Sequence, residues 1–149
     1  MTTLHFKNKE LVPTVNFLTS LELKNKKSRN RSKLVNLMLD VIKEYQKDLD
    51  KLSDDYSLKD ENGKVVPSEN GSGNKIIPGK ESEYVKQFNE LQNEVIAIEG
   101  GVYVSNINDL YSDLLTVDKS LSENEAVVYD RLLDEYETND SIKVDNHED

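Results

Sequence analysis

A chain of 149 residues with 36% hydrophobic and 32% charged residues is too apolar to be wholly disordered and long enough to bury one core without staples. Its 19 basic against 29 acidic residues leave a net charge of −10, which disfavours duplex nucleic acid as a general partner, because phosphate binding is dominated by Lys and Arg. The lack of cysteine excludes disulfides, thiolate nucleophiles and Cys-bearing zinc sites, and no run approaches the roughly 18 apolar residues of a membrane span.

The opening Met1-Thr2-Thr3-Leu4-His5-Phe6 has no charged start followed by an apolar stretch, so a non-exported, cytoplasmic protein is expected. Leu4 and Phe6 alternate around His5 as in a short strand. Asn8 can then cap a helix whose apolar face is Leu11, Val12, Val15, Leu18 and Leu21, with Pro13 tolerated near its start. Next come Lys24, Lys26, Lys27, Arg29, Arg31 and Lys33, six cations with no anion among them. They lead into a long amphipathic helix near 28–57, marked by Val35, Met38, Ile42, Tyr45, Leu49, Leu52 and Tyr56 at alternating three- and four-residue steps. Such a stripe needs a partner, either a second copy of the chain in a homodimer or another helix in an intramolecular hairpin.

From 58 to 80 the periodicity gives way to Asn-Gly pairs and prolines, a long flexible loop in which Val65-Val66 and Ile76-Ile77 can form a small hairpin. Tyr84, Phe88, Leu91 and Val95 mark a third helix, followed by the apolar run Val95-Ile96-Ala97-Ile98, a strand stopped by Gly100-Gly101. Tyr103, Ile107, Leu110, Leu114 and Val117 mark a fourth helix. Ser122 and Glu125 form a capping-box pattern that opens a fifth, running to about Thr138. The two short strands should pair, because an isolated strand leaves its backbone groups unsatisfied.

These elements amount to an α+β fold, predominantly helical, with five helices and a minimal two-stranded sheet. The expected organisation is a single domain over 1–138 with its loop at 58–80, then an acidic disordered tail at 139–149.

Chemistry-bearing motifs are weak. His5 and His147 are the only histidines, which excludes a His-based triad or multi-histidine metal site. Asp60, Asn62, Gly63 and Glu69 copy part of a calcium loop, but Leu58 occupies the first ligand position and Pro67 interrupts it. Gly71-Ser72-Gly73-Asn74-Lys75 lacks the spacing of a phosphate-binding loop, and Gly100-Gly101 reads equally as a tight turn or an anion cradle. No catalytic, cofactor or metal residue is expected.

The charge map is more informative. Residues 1–33 carry eight Lys or Arg against two Glu, leaving eleven against twenty-seven in the remainder. The basic segment serves either to neutralise acidic helices within the fold or a dimer, or to contact phosphates. The densest carboxylates are Asp48, Asp50, Asp54 and Asp55 near the end of the long helix and Asp130, Asp134, Glu135 and Glu137 on the last. They form either a solvated surface or an imitation of a phosphate backbone that occupies a basic cleft on a nucleic-acid-processing enzyme.

The stretch Leu4 to Val12, then Phe17-Leu18, Ser28-Arg29-Asn30-Arg31, Ile98-Glu99-Gly100-Gly101 and Val128-Tyr129-Asp130, resembles a family of small proteins from bacteriophages of Gram-positive bacteria, domain of unknown function 1617. The likeness spans most of the chain outside the 58–80 loop and the tail. It implies a phage or prophage origin, and it carries no functional residues over. The expectation is therefore a non-catalytic acidic accessory or anti-defence protein with a host or phage protein partner. The alternatives are a nucleic-acid-binding factor using the basic segment and a structural or assembly protein.

Overall fold

Two five-residue strands, distant in sequence, hold the fold together: β1 (Thr3–Lys7) and β2 (Val95–Glu99) pair antiparallel, with His5 opposite Ala97. The computed structural model describes the backbone of residues 3–147 and the side chains of residues 3–138. Between and after the strands lie helices α1 (Asn8–Ser20), α2 (Lys26–Tyr56), α3 (Glu81–Asn93), α4 (Val104–Leu115) and α5 (Glu123–His147), with a 3-10 turn at Gly101–Tyr103. The fold is α+β and mostly helical, as the periodicities predict. Side chains from 139 onward, and with them the acidic tail expected there, lie outside the described residues, although α5 runs past Thr138.

The chain divides into two compact units, Met1–Ile42 with Val95–Asp149, and Lys43–Glu94. The first holds every buried apolar side chain among the described residues. Leu4, Phe6 and Ile98 from the inner sheet face meet Leu11, Phe17 and Leu18 of α1, Leu34 and Met38 of α2, Ile107, Leu110 and Leu114 of α4, and Leu132 and Tyr136 of α5. Two details differ from the expected faces: Val12 points outward, and Phe17, which the i, i+4 pattern omits, is buried against the Tyr129 ring. The α1 cap also falls one residue early, on Lys7, whose N–H donates to the Glu10 carboxylate at 2.8 Å.

The turn between β2 and α4 requires its glycines. A Cβ on Gly100 would lie 2.8 Å from the Val104 Cα, and Gly101 adopts φ +56°. The Gly100 carbonyl accepts the Tyr103 N–H, so this is a tight turn. At the start of α5 the expected capping box is complete: Ser122 Oγ accepts the Glu125 N–H, and Glu125 Oε1 accepts the Ser122 N–H.

In the second unit the C-terminal half of α2 and α3 form an antiparallel hairpin. Tyr56 packs on Tyr84 and Tyr45 bonds Gln92, so one helix descends as the other ascends. The stripe of Tyr45, Leu49, Leu52 and Tyr56 therefore finds its partner within the chain, and those side chains remain half-buried. The connecting residues include the expected small hairpin, with Pro67 opposite Asn74. Three backbone bonds close a ring there: Leu58 N–H to the Lys75 carbonyl, Lys75 N–H to Val66, and Val66 N–H to Leu58.

Candidate functional site

The basic segment begins at the turn before α2, where Asn25 takes φ +56° and its carbonyl accepts the Arg29 N–H. Four of its six cations have partners within the chain. Lys26 pairs with Asp109 at 2.8 Å, Lys27 donates to the Thr116 hydroxyl at 3.2 Å, and Lys33 sits 4.5 Å from the centre of the Tyr103 ring. Arg31 turns inward and donates to the carbonyls of Leu21 and of Leu18, the latter also accepting the Leu21 N–H at the end of α1. Lys24 and Arg29 are exposed. Beside the segment, residues 20–27 and the α4–α5 connection enclose a cleft of about 830 Å³. Lys24, Lys26, Lys27 and Lys119 line it together with Glu22, Asp113 and Asp118, so its walls are close to neutral.

Asn30, within the Ser28–Arg31 motif, is buried. Its amide donates to Asp113 at 2.8 Å, and its carbonyl oxygen accepts from Asn106 at 2.9 Å. This chain of bonds satisfies a polar group that would otherwise destabilise the core, and it explains that residue without invoking a ligand.

The two carboxylate clusters lie in different units. In the second, Asp48 and Asp55 of α2 face Glu90 of α3 and Glu94, the extended residue that ends it, across a shallow groove of about 310 Å³ that also contains Lys51. The two glutamates were not legible as part of the cluster, because only the chain's return along α3 and the extended end of that helix bring them opposite α2. Lys51 pairs with Asp55 at 3.0 Å, which leaves Asp48, Glu90 and Glu94 without a cation among the described residues. Asp50 accepts from Gln46 and Asp54 pairs with Lys59, both on exposed positions away from the groove. At the mouth of the hairpin Tyr56 donates to Glu83 at 2.7 Å. That bond raises the phenol pKa and, with Lys80, lowers that of the Glu83 carboxyl. Burial raises the Tyr45 phenol, and its bond with Gln92 opposes the shift.

In the first unit Asp130, Asp134 and Glu137 project from the outer face of α5, and Glu137 accepts from the Tyr111 hydroxyl at 3.2 Å. Glu135 lies apart from them. Its side chain is 13% exposed, accepts the His5 N–H at 2.7 Å and pairs with Arg131 at 3.0 Å, so it stabilises the sheet instead of facing a partner. Burial opposes the Arg131 charge, but the Glu135 and Glu10 carboxylates outweigh it and raise the guanidinium pKa.

Elsewhere, Asp60 of the partial calcium loop spends its Oδ1 on the N–H groups of Asn62 and Lys64, which fixes a turn. Among the described residues no group of three or more His, Cys, Asp or Glu could hold a metal ion, and no helix is long and apolar enough to cross a membrane.

No curated protein and no solved structure matches the chain. A family model does, over residues 2–143, and the chain belongs to that family, the proteins of unknown function DUF1617.

Proposed function

We propose that the protein is a non-catalytic acidic binding module whose carboxylates occupy a basic cleft of a nucleic-acid-processing enzyme. The observation that carries this reading is the contrast between its two kinds of charge. Lys26, Arg31 and Lys33 each have a partner within the chain, whereas Asp48, Glu90 and Glu94 face a groove and Asp130 and Asp134 an open helix face, all without an ion-pair partner among the described residues. Successive turns of a helix place carboxylates about 5.4 Å apart, a spacing that a protein cleft shaped for phosphates can accept. The resemblance to phage proteins extends the reading to an accessory, anti-defence product acting in the cytoplasm of a bacterial host.

The test is capture from a bacterial extract on immobilised protein, run beside a variant carrying Asp48→Asn, Glu90→Gln and Glu94→Gln and a second carrying Asp130→Asn and Asp134→Asn. A nucleic-acid enzyme that is displaced by duplex DNA, and lost with one variant, supports the reading. Capture indifferent to both charge and DNA removes it. Submicromolar, salt-sensitive binding of the protein itself to duplex DNA, abolished by neutralising Lys24, Lys27 and Arg29, would favour the basic segment as the contact instead.

A further inference from the structure

The two edges of the small sheet are treated differently. His5 is the reference point: its N–H goes to Glu135 and its carbonyl accepts from Arg131 at 2.8 Å, so both groups point away from β2. Residues opposite one another in an antiparallel pair alternate between mutually bonded and unbonded, and His5 opposite Ala97 is therefore an unbonded pair. The same alternation applies two residues either way, and Lys7 indeed sends its N–H to Glu10. It follows that Val95, Ala97 and Glu99 present their N–H and C=O groups on the far side of β2. All three residues are exposed, Val95 at 60%, and no hydrogen bond to those backbone groups exists among the described residues. The helices that pack most closely on the sheet, α1 and α5, do so along β1. One edge is closed by a charged pair, and the other is an open, apolar strand of the kind proteins normally protect.

We propose that this edge is a self-association surface: β2 of one copy pairs antiparallel with β2 of a second about a two-fold axis through Ala97, giving a continuous four-stranded sheet. Three features point to a second copy as the occupant. The register that sets Ala97 against Ala97 also sets Val95 against Glu99, so every outward backbone group of the strand finds a partner. Charge favours this direction, since Glu99 of the two copies then lie roughly 13 Å apart along the strands. Parallel addition in register would instead set them side by side at about 4.8 Å. The exposed face then runs Lys7, Val95, Glu99 of the second copy, Thr3 of the second copy, with Lys7 about 10 Å from an opposite charge. Finally, the Arg131 and Glu135 closure of β1 ends the sheet on both sides, so assembly stops at two copies and does not propagate.

Sedimentation equilibrium of the full chain over a hundredfold concentration range tests the dimer, and a charge swap tests its register. Ala97→Lys and Ala97→Glu each place like charges directly opposite across the axis, and each should weaken the dimer. Mixed in equal amounts, the two variants should form heterodimer in excess of the statistical half by native mass spectrometry. Ala97→Pro removes only an outward N–H, which β1 does not use, and should raise the dissociation constant at least about tenfold with the circular dichroism of the monomer retained. If Ala97→Pro perturbs the fold, the charge-swap pair, altered only at an exposed side chain, decides. A strictly monomeric wild type overturns the proposal. So does a dimer that withstands Ala97→Lys, which would place the contact elsewhere, and so does a dimer weakened by both charges but not restored by mixing, which would mean that position 97 does not face itself.

Discussion

Arg131 reaches across 126 positions of sequence to donate a hydrogen bond to the carbonyl of His5 at 2.8 Å. The same guanidinium meets Glu10 at 2.9 Å and Glu135 at 3.0 Å, and lies 5.2 Å from the centre of the Phe6 ring. One side chain thus joins β1, α1 and α5. Replacing it with Met keeps much of the stem's packing but leaves two half-buried carboxylates and a strand carbonyl without their donor. Urea unfolding should show a loss of about 1–3 kcal/mol. In a double-mutant cycle with Glu135→Gln the two losses should fall short of additive, because the residues share one interaction.

Acid should weaken the start of α5 before it disturbs the core. The Lys119 ammonium, with the Ser122 backbone, lowers the Glu125 pKa below its usual 4.5. A carboxyl that is more acidic when folded contributes stability above its unfolded pKa and loses that contribution as pH falls through the folded value. The stability gap between wild type and Glu125→Gln should therefore be constant near neutrality and close below about pH 4.5. Tyr56 behaves oppositely. Its raised phenol pKa, caused first by the bond to Glu83, favours the protonated form in the fold, so its contribution is full below the ordinary phenol value of 10.0 and is lost as pH rises through the folded value. Thermal melts of Tyr56→Phe beside wild type should converge in strongly alkaline buffer.

Gly100→Ala should destabilise although it adds one methyl group. The new Cβ would meet backbone atoms of Val104, which cannot move without shifting the first turn of α4. A cost of about 1–3 kcal/mol is expected, as for other overpacked sites, measured by thermal or urea unfolding. Val102→Ala, two residues on at a 90% exposed side chain, should change stability by less than about 0.5 kcal/mol and serves as the control.

Period and capping made the elements legible: Val35 and Met38 are buried where the stripe puts them, and Ser122 with Glu125 opens α5 as its spacing implies. Periodicity names a face but not what covers it. The same stripe that meets the core at Met38 meets α3 at Tyr56, and nothing in α2 alone distinguishes the two. Charges were harder to place for a related reason. Arg31 and Glu135 look like surface residues, yet each is bound to main-chain groups of another element, Arg31 to the end of α1 and Glu135 to β1. Whether a charged side chain meets solvent, a carbonyl or a partner depends on long-range packing, to which a count of Lys and Glu is blind.

The second unit should open more readily than the first. Among the described residues from Lys43 to Glu94 the only buried side chain is Ser57, whereas the first unit contains Leu110 and Leu132 at 0% exposure. Regions with few buried apolar contacts exchange their amides at lower opening free energy. Hydrogen exchange should therefore show α3 and the last turns of α2 exchanging faster than α4 and the start of α2. Leu110→Ala should cost about 2–5 kcal/mol and speed exchange in the most protected amides of the first unit. Leu49→Asp should instead speed exchange within 43–94 and leave the first unit's protection in place. Equal protection of the two units, or loss of both with Leu49→Asp alone, would show that the hairpin and the core unfold as one cooperative body.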